Sequence, residues 1–216
     1  MKTLIAIPCM DTIPVGFMQS ILYLNKPEGT SVCFNPNSLV YDSRNVLSIT
    51  AINEGYDRVL WVDSDMLFPS DTLVRLSADM DKLGAEMVTG LYFTRKYPVT
   101  PVLYRVLDEP VLLPDGQVHK QIHEYTDYPA DTTFPVRGCG FGCCMTSVKL
   151  LKEVWDNFGP AFAPYPWGGE DISFCHRVNL LGYDIYCDSS ISLGHIGQFV
   201  YSEKLFTKEG EQHEIH

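Results

Sequence analysis

Positive charge is scarce in this chain. Its 216 residues hold 16 Lys and Arg against 27 Asp and Glu, a formal net charge of −11. The whole-molecule field therefore repels a polyanion, which argues against generic nucleic-acid binding. Long apolar runs are missing too: none approaches the ~18–20 residues of a membrane span. The opening MKTLIAIPCMDTIP is interrupted by Pro8 and Asp11 before a secretory signal is complete. No C-x2-C pair occurs among the seven cysteines at 9, 33, 139, 143, 144, 175 and 187, which argues against a zinc site. They are expected to be reduced thiols of a soluble cytoplasmic protein. Internal repeats, low-complexity tracts, a dinucleotide fingerprint and a P-loop are all absent.

What is present is ordinary globular material. Hydrophobic residues make up 45% and charged residues 20%, enough apolar surface for a core and too much for general disorder. The length suits one α/β unit with insertions. Any phosphate chemistry in so acidic a protein needs a local remedy, either placed Arg and Lys or a divalent cation held by carboxylates.

Residues Thr3 to Pro8 (TLIAIP) read as a buried strand, Val15 to Asn25 as a helix, Ser31 to Phe34 as a strand, Tyr41 to Glu54 as a helix and Arg58 to Val62 as a third strand. This rhythm predicts βαβ units and a mostly parallel, Rossmann-like sheet flanked by helices. Ser70-Asp71 is expected to cap a helix running to about Lys82, and Glu86 to Tyr92 resumes extended structure. From Phe93 to Pro135 prolines and short β-like pieces predict a β-rich insertion with a turn at Pro114-Asp115-Gly116. Met145 to Phe158 and Glu170 to Leu181 carry helical spacing, Gly182 ends the latter, and Ile185 to Cys187 and Ile191 to Leu193 are expected as short strands. One domain over 1–216 is expected, with 1–92 as the nucleotide-binding half, 93–203 as the acceptor side and 204–216 as a frayed tail.

Asp63 and Asp65 follow directly on the third strand in LWVDSDMLFP. Ligands of open parallel sheets bind outside the carboxyl ends of the strands, so these carboxylates face the crevice. Two close carboxylates need a neutralising cation, and a hard divalent ion provides it while gripping a diphosphate. An Asp-rich turn is the ordinary alternative. Glu170 and Asp171 open a helix after Trp167-Gly168-Gly169, at the positive end of its dipole, where simple capping is the alternative and a lowered pKa would weaken a base. Arg44 is a candidate for bidentate phosphate contact or a solvated helix-face residue. The glycines around Gly140 let backbone approach a ligand, and Trp167 suits either a sugar face or the core. His119 and His123 read as surface residues.

Taken together, the Ile7-Pro8 ending of strand one, Ser43-Arg44-Asn45, Asp63-Ser64-Asp65, Gly169-Glu170-Asp171 and His195 make the chain resemble a GT-A nucleotide-sugar glycosyltransferase, in the style of glycosyltransferase family 2. The resemblance spans nearly the whole chain, to about residue 197. It implies a metal-dependent, hexosyltransferase-like enzyme moving one sugar from a UDP- or GDP-sugar to an acceptor hydroxyl on a glycan, protein or small molecule. Pro8, Asp11, Arg44, Asp63, Gly140 and Trp167 would bind the nucleotide-sugar. Asp63, Asp65 and His195 would hold Mn2+ or Mg2+. Asp171 would be the base of an inverting transfer, or orient the acceptor in a retaining one, with Glu170 positioning the acceptor. No membrane helix or long C-terminal extension follows, so a single transfer is expected rather than polysaccharide synthesis. The competing readings are a nucleotidyltransferase, which usually carries a Gly-rich basic loop near its N-terminus, and a non-catalytic nucleotide-sugar-binding module. A modified DNA base as acceptor would require a basic strip around Arg95, Lys96 and Arg105.

Overall fold

The computed structural model describes residues 1–115, 117–197 and 200–203. Its frame is a seven-stranded sheet. The strands that build it are β1 (Thr3–Cys9), β2 (Thr30–Pro36), β3 (Arg58–Val62), β5 (Met87–Leu91), β8 (Thr133–Val136), β10 (Cys143–Ser147) and β11 (Ile185–Ser192), in the spatial order β2-β1-β3-β10-β5-β11-β8. β2, β1, β3, β5 and β11 share one direction, and β10 and β8 run against it.

Both faces of this sheet are buried, and the two-residue period of a strand sends alternate side chains to opposite sides. Leu4, Ala6, Val59 and Trp61 join one core cluster with Leu47 and Ala51 of α2 (Val40–Asn53), Leu150 and Val154 of α4 (Val148–Phe158) and Phe174 of α5 (Glu170–Leu180). Ile5, Ile7, Leu60 and Val62 join the other, against Phe17 and Ile21 of α1 (Val15–Tyr23) and Leu73 and Leu76 of α3 (Thr72–Leu83). The result is the three-layer α/β arrangement that the strand–helix rhythm predicts.

Three details differ from the sequence reading. Residues 145–147 are strand, not helix: Cys143 and Met145 face one cluster while Cys144 faces the other. Only from Val148 does the helix begin, with the Ser147 hydroxyl accepting a hydrogen bond from the Leu150 N–H at 2.9 Å. Second, Ile185–Ser192 is one strand whose register on β5 shifts between Asp188 and Ser192, so a bulge, not a break, separates its apolar ends. Third, Asp71 holds the position before α3 without a side-chain cap. Gly84 closes that helix at φ 62°, a conformation glycine adopts without strain.

The expected insertion is a hairpin of β6 (Leu103–Leu112) and β7 (Val118–Glu124), completed by β9 (Gly138–Cys139). Asp115 Oδ1 accepts from the Gln117 N–H at its turn; Gly116 and the tail 204–216 lie outside the described residues. A third small sheet, β13-β12-β4, joins β4 (Met66–Leu67), β12 (Gly194–Ile196) and β13 (Val200–Tyr201). Among the described residues no helix is long and apolar enough to cross a membrane.

Candidate active site

The chain leaves β1 toward β2 on one side and returns to β3 on the other. That reversal opens a crevice at the carboxyl ends of β1 and β3, the switch point at which open α/β sheets bind ligands. A cleft of about 300 Å³ lies there, lined among others by Pro8, Asp63, Ser64, Asp65, Arg95 and His195.

Asp63 is fixed by backbone. Its N–H donates to the Gly142 carbonyl at 3.0 Å, and its own carbonyl accepts from Met66 at 3.2 Å, a tight turn that carries the chain from β3 into β4. β4 pairs antiparallel with β12 so that His195 stands opposite Met66, and the Ile196 N–H donates to the Asp65 carbonyl at 2.7 Å. This register brings His195 Nε2 to 3.6 Å from Asp65 Oδ1. His195 Nδ1 lies 2.9 Å from the Phe93 carbonyl. A carbonyl only accepts, so a proton belongs on Nδ1, and the nitrogen turned toward Asp65 is Nε2, the one a metal would use. Tyr92 packs edge-on to the imidazole at 5.6 Å.

The segment Ser43-Arg44-Asn45 on α2 sends three side chains three ways. Ser43 Oγ accepts from Asn35 Nδ2 at 3.0 Å, tying α2 to β2, and Asn45 Oδ1 accepts from the Phe162 N–H at 2.9 Å. Arg44 is 2% exposed, donates to Asp63 Oδ1 at 2.6 Å, and pairs with Glu170 Oε1 through its other terminal nitrogen. Its Nε has no partner among the described residues. Burial works against its charge, but the carboxylates of Asp63, Glu170 and Asp171 outweigh that and hold the guanidinium protonated. Arg44 is therefore no solvated surface residue: both its terminal nitrogens engage carboxylates.

Four carboxylates thus meet two guanidiniums, Arg44 and Arg95. Burial pushes Asp63 above the usual carboxylate range, aided by Asp65 and Glu170 and opposed by Arg44. For Asp65 burial is overcome by the hydrogen bond and charge of His195 and by Arg95, whose Nη1 donates to Oδ2 at 2.6 Å, so its carboxyl is lowered. Asp171 differs from the sequence expectation. Its Oδ1 accepts from the Ile172 N–H at 2.7 Å, yet burial and the neighbouring charge of Glu170 prevail over the helix terminus and raise its carboxyl to about 6. A carboxylate with that pKa is a stronger base than an ordinary aspartate and remains mostly ionised at pH 7.

The other expected residues fall outside the cleft lining. Asp11 is exposed on the loop after β1. Gly140 is buried, and the reason for glycine is Tyr92: a Cβ at 140 would lie 1.9 Å from the Tyr92 hydroxyl oxygen, which itself accepts from the Gly142 N–H. Trp167 is half-buried, stacked on Tyr165 at 5.1 Å and edge-on to His176 at 5.2 Å. Arg105 pairs with Asp127 at 3.0 Å and Arg95 with Asp65, so two of the three cations of the strip a DNA acceptor would need are engaged by carboxylates. His119 and His123 are exposed, as expected. Sequence reasoning passed over Arg95 and Tyr92 as site residues. The signal was available: both lie at the carboxyl end of β5, where the rule that singled out Asp63 applies equally.

Asp65 and His195 provide one oxygen and one nitrogen donor, a set that suits Mn2+ better than Mg2+. Among the described residues no three His, Cys, Asp or Glu side chains are grouped as a metal cage, because Asp63 turns to Arg44. The protein's share of such a site is therefore small: one carboxylate and one imidazole, beside the Asp63 that Arg44 holds.

No known protein family and no curated protein sequence matches the chain. Solved structures do. A197 from STIV matches over 100% of both chains, with a TM-score of 0.66 and 16% identity. GalNAc-T7, solved with UDP, GalNAc and Mn2+, matches with a TM-score of 0.58 and 10% identity over 91% of this chain and 43% of its own. The fold is GT-A-like. Identities this low speak for the fold alone, and the narrower likeness to family 2 stays a resemblance.

Proposed function

We propose that this protein is a metal-dependent glycosyltransferase that moves one sugar from a nucleotide-sugar, UDP- or GDP-linked, to an acceptor hydroxyl on a glycan, protein or small molecule. The observation that carries the reading is the pairing of Asp65 with His195 Nε2 at 3.6 Å across a switch-point cleft that Asp63 also lines. Asp65 and His195 hold the cation, Mn2+ by preference, with Asp63 beside them. A bound cation supplies Lewis-acid stabilisation to the departing nucleoside diphosphate. Pro8 packs at the nucleotide end of the cleft. Arg44 positions the protein's own charges, holding Asp63 of the donor side and Glu170 of the acceptor side on one guanidinium.

Asp171 takes the proton of the acceptor hydroxyl in an inverting transfer; its raised pKa supports that role. Tyr104, whose hydroxyl is pushed up by burial and by the charge of Asp171, belongs to the same acceptor-side group. Seven free cysteines agree with work in a reducing compartment such as the cytoplasm.

The test is a thermal-shift series with UDP-, GDP-, CMP- and dTDP-sugars, with and without Mn2+, since a ligand of the folded state raises its melting temperature. One donor should stabilise the protein only with metal, and D65A should abolish the effect. D171N should keep the shift and lose transfer. Metal-dependent donor binding without transfer or hydrolysis would leave a binding module, and no shift with any donor would overturn the reading.

A further inference from the structure

Arg95 is the guanidinium among the described residues lining the cleft, and nothing in the proposed chemistry has yet used it. It opens the loop after β5 and reaches across the mouth of the cleft, where Nη1 donates to Asp65 Oδ2 at 2.6 Å and to the Ile196 carbonyl at 3.4 Å. Its side chain is 48% exposed. The neck of the loop is pinned: the Thr94 N–H donates to the Thr100 carbonyl at 2.9 Å, and the Thr100 N–H returns a bond to Thr94 Oγ1 at 3.1 Å. The backbone at Arg95 is thereby anchored while its side chain stays half exposed at the mouth of the cleft.

The contact sits on the carboxylate whose other oxygen faces His195 Nε2. A guanidinium and a divalent cation therefore compete for Asp65. An ion pair this exposed is weak, so a divalent cation displaces it readily. Once that carboxylate carries two further positive charges, Arg95 is repelled from it, and the nearest anion is whatever the metal brings. A planar guanidinium matches phosphate oxygens with two parallel hydrogen bonds, and Arg44 is not available for this because both its terminal nitrogens are engaged by Asp63 and Glu170.

We propose that Arg95 is a placeholder that becomes a clamp: it neutralises Asp65 in the empty cleft and, when a divalent cation takes Asp65, transfers its guanidinium to the phosphates of a nucleoside diphosphate. The inference rests on the donor-site reading above and adds the residue that grips the diphosphate.

The signature is a pair of opposite effects from one substitution. In R95A, Mn2+ alone, measured by the loss of its free paramagnetic resonance signal, should bind about two- to five-fold more tightly, because its competitor is gone. Calorimetric titration with UDP or GDP in saturating Mn2+ should show binding at least about ten-fold weaker, the loss of a charge-assisted contact. K96A, next in the chain with the same charge, should leave both affinities near wild type, and circular dichroism should show all variants folded. Mn2+ binding that R95A leaves unchanged or weakens, or diphosphate binding that it leaves intact, would overturn the proposal. Equal effects from K96A would also overturn it, since through-space charge would then suffice. Wild-type protein that binds neither Mn2+ nor either diphosphate would overturn the donor-site reading and the clamp together, whereas wild-type binding with unresponsive R95A removes the clamp alone.

Discussion

Replacing Arg44 by Met puts the central claim about this site at risk. The side chain is 2% exposed and bridges Asp63, 33% exposed, and Glu170, 17% exposed. Removing one partner of a buried ion pair strands the other charge and costs about 3–5 kcal/mol. Water reaches both carboxylates here, so the lower end, about 3 kcal/mol, applies. For a chain of this size each kcal/mol moves the melting temperature by about 2–4 °C, so R44M should melt about 6–12 °C below wild type at pH 7. The sign with pH follows from protons. Asp63 is already raised by burial, and losing Arg44 raises it further, so the folded variant binds protons that the unfolded chain has released. Its stability falls as pH rises through that interval, and the gap to wild type should narrow as pH is lowered from 7 to 5. R44M/E170Q should recover part of the loss. Calorimetric melting of the three proteins at both pH values decides the matter: R44M within about 2 °C of wild type at pH 7, or a gap that widens in acid, would refute the reasoning.

Three further expectations follow from single features. Transfer rate should rise with pH through about 6 and then level, the limb of a base that must be ionised, and D171N should lose transfer at every pH tested. G140A should destabilise the fold by about 1–3 kcal/mol through overpacking, and Y92F should relieve part of that, because the atom nearest the added Cβ is the Tyr92 hydroxyl oxygen; denaturant melts of the two singles and the double measure it. S147A should cost about 1 kcal/mol by removing the cap that starts α4, with the β10 strand before it unchanged by amide exchange.

The βαβ rhythm was legible because β1 and β3 are short apolar runs closed by turn residues, and the carboxyl-end rule then pointed to Asp63 and Asp65 without structural help. β10 was not legible. Five buried residues leading straight into a helix carry no turn signal, and Met145 and Val148 fall at helical spacing by coincidence. The partnership of Asp65 with His195 depends on the register of two very short strands, which no local pattern encodes. Arg44 read equally as a phosphate contact or a solvated helix-face residue because α2 carries little apolar pattern; its burial comes from Phe141 and Phe162 on distant segments, with its guanidinium carbon 5.2 and 6.0 Å from their rings. The pKa of Asp171 was misjudged from the helix terminus alone, since burial and Glu170 enter only with the tertiary structure.

The place of β10 has a consequence for the order in which this chain takes shape. β5 hydrogen-bonds to β10 on one side and β11 on the other, and both are supplied by the last third of the sequence. A ribosome that has released the first hundred residues has delivered β1, β2 and β3 as a pairing set but left β5 with neither neighbour. The stretch 1–92, proposed as the nucleotide-binding half, is thus not a unit of folding. The fragment 1–92 is expected to remain open at β3 until residues 143–147 arrive to close the sheet.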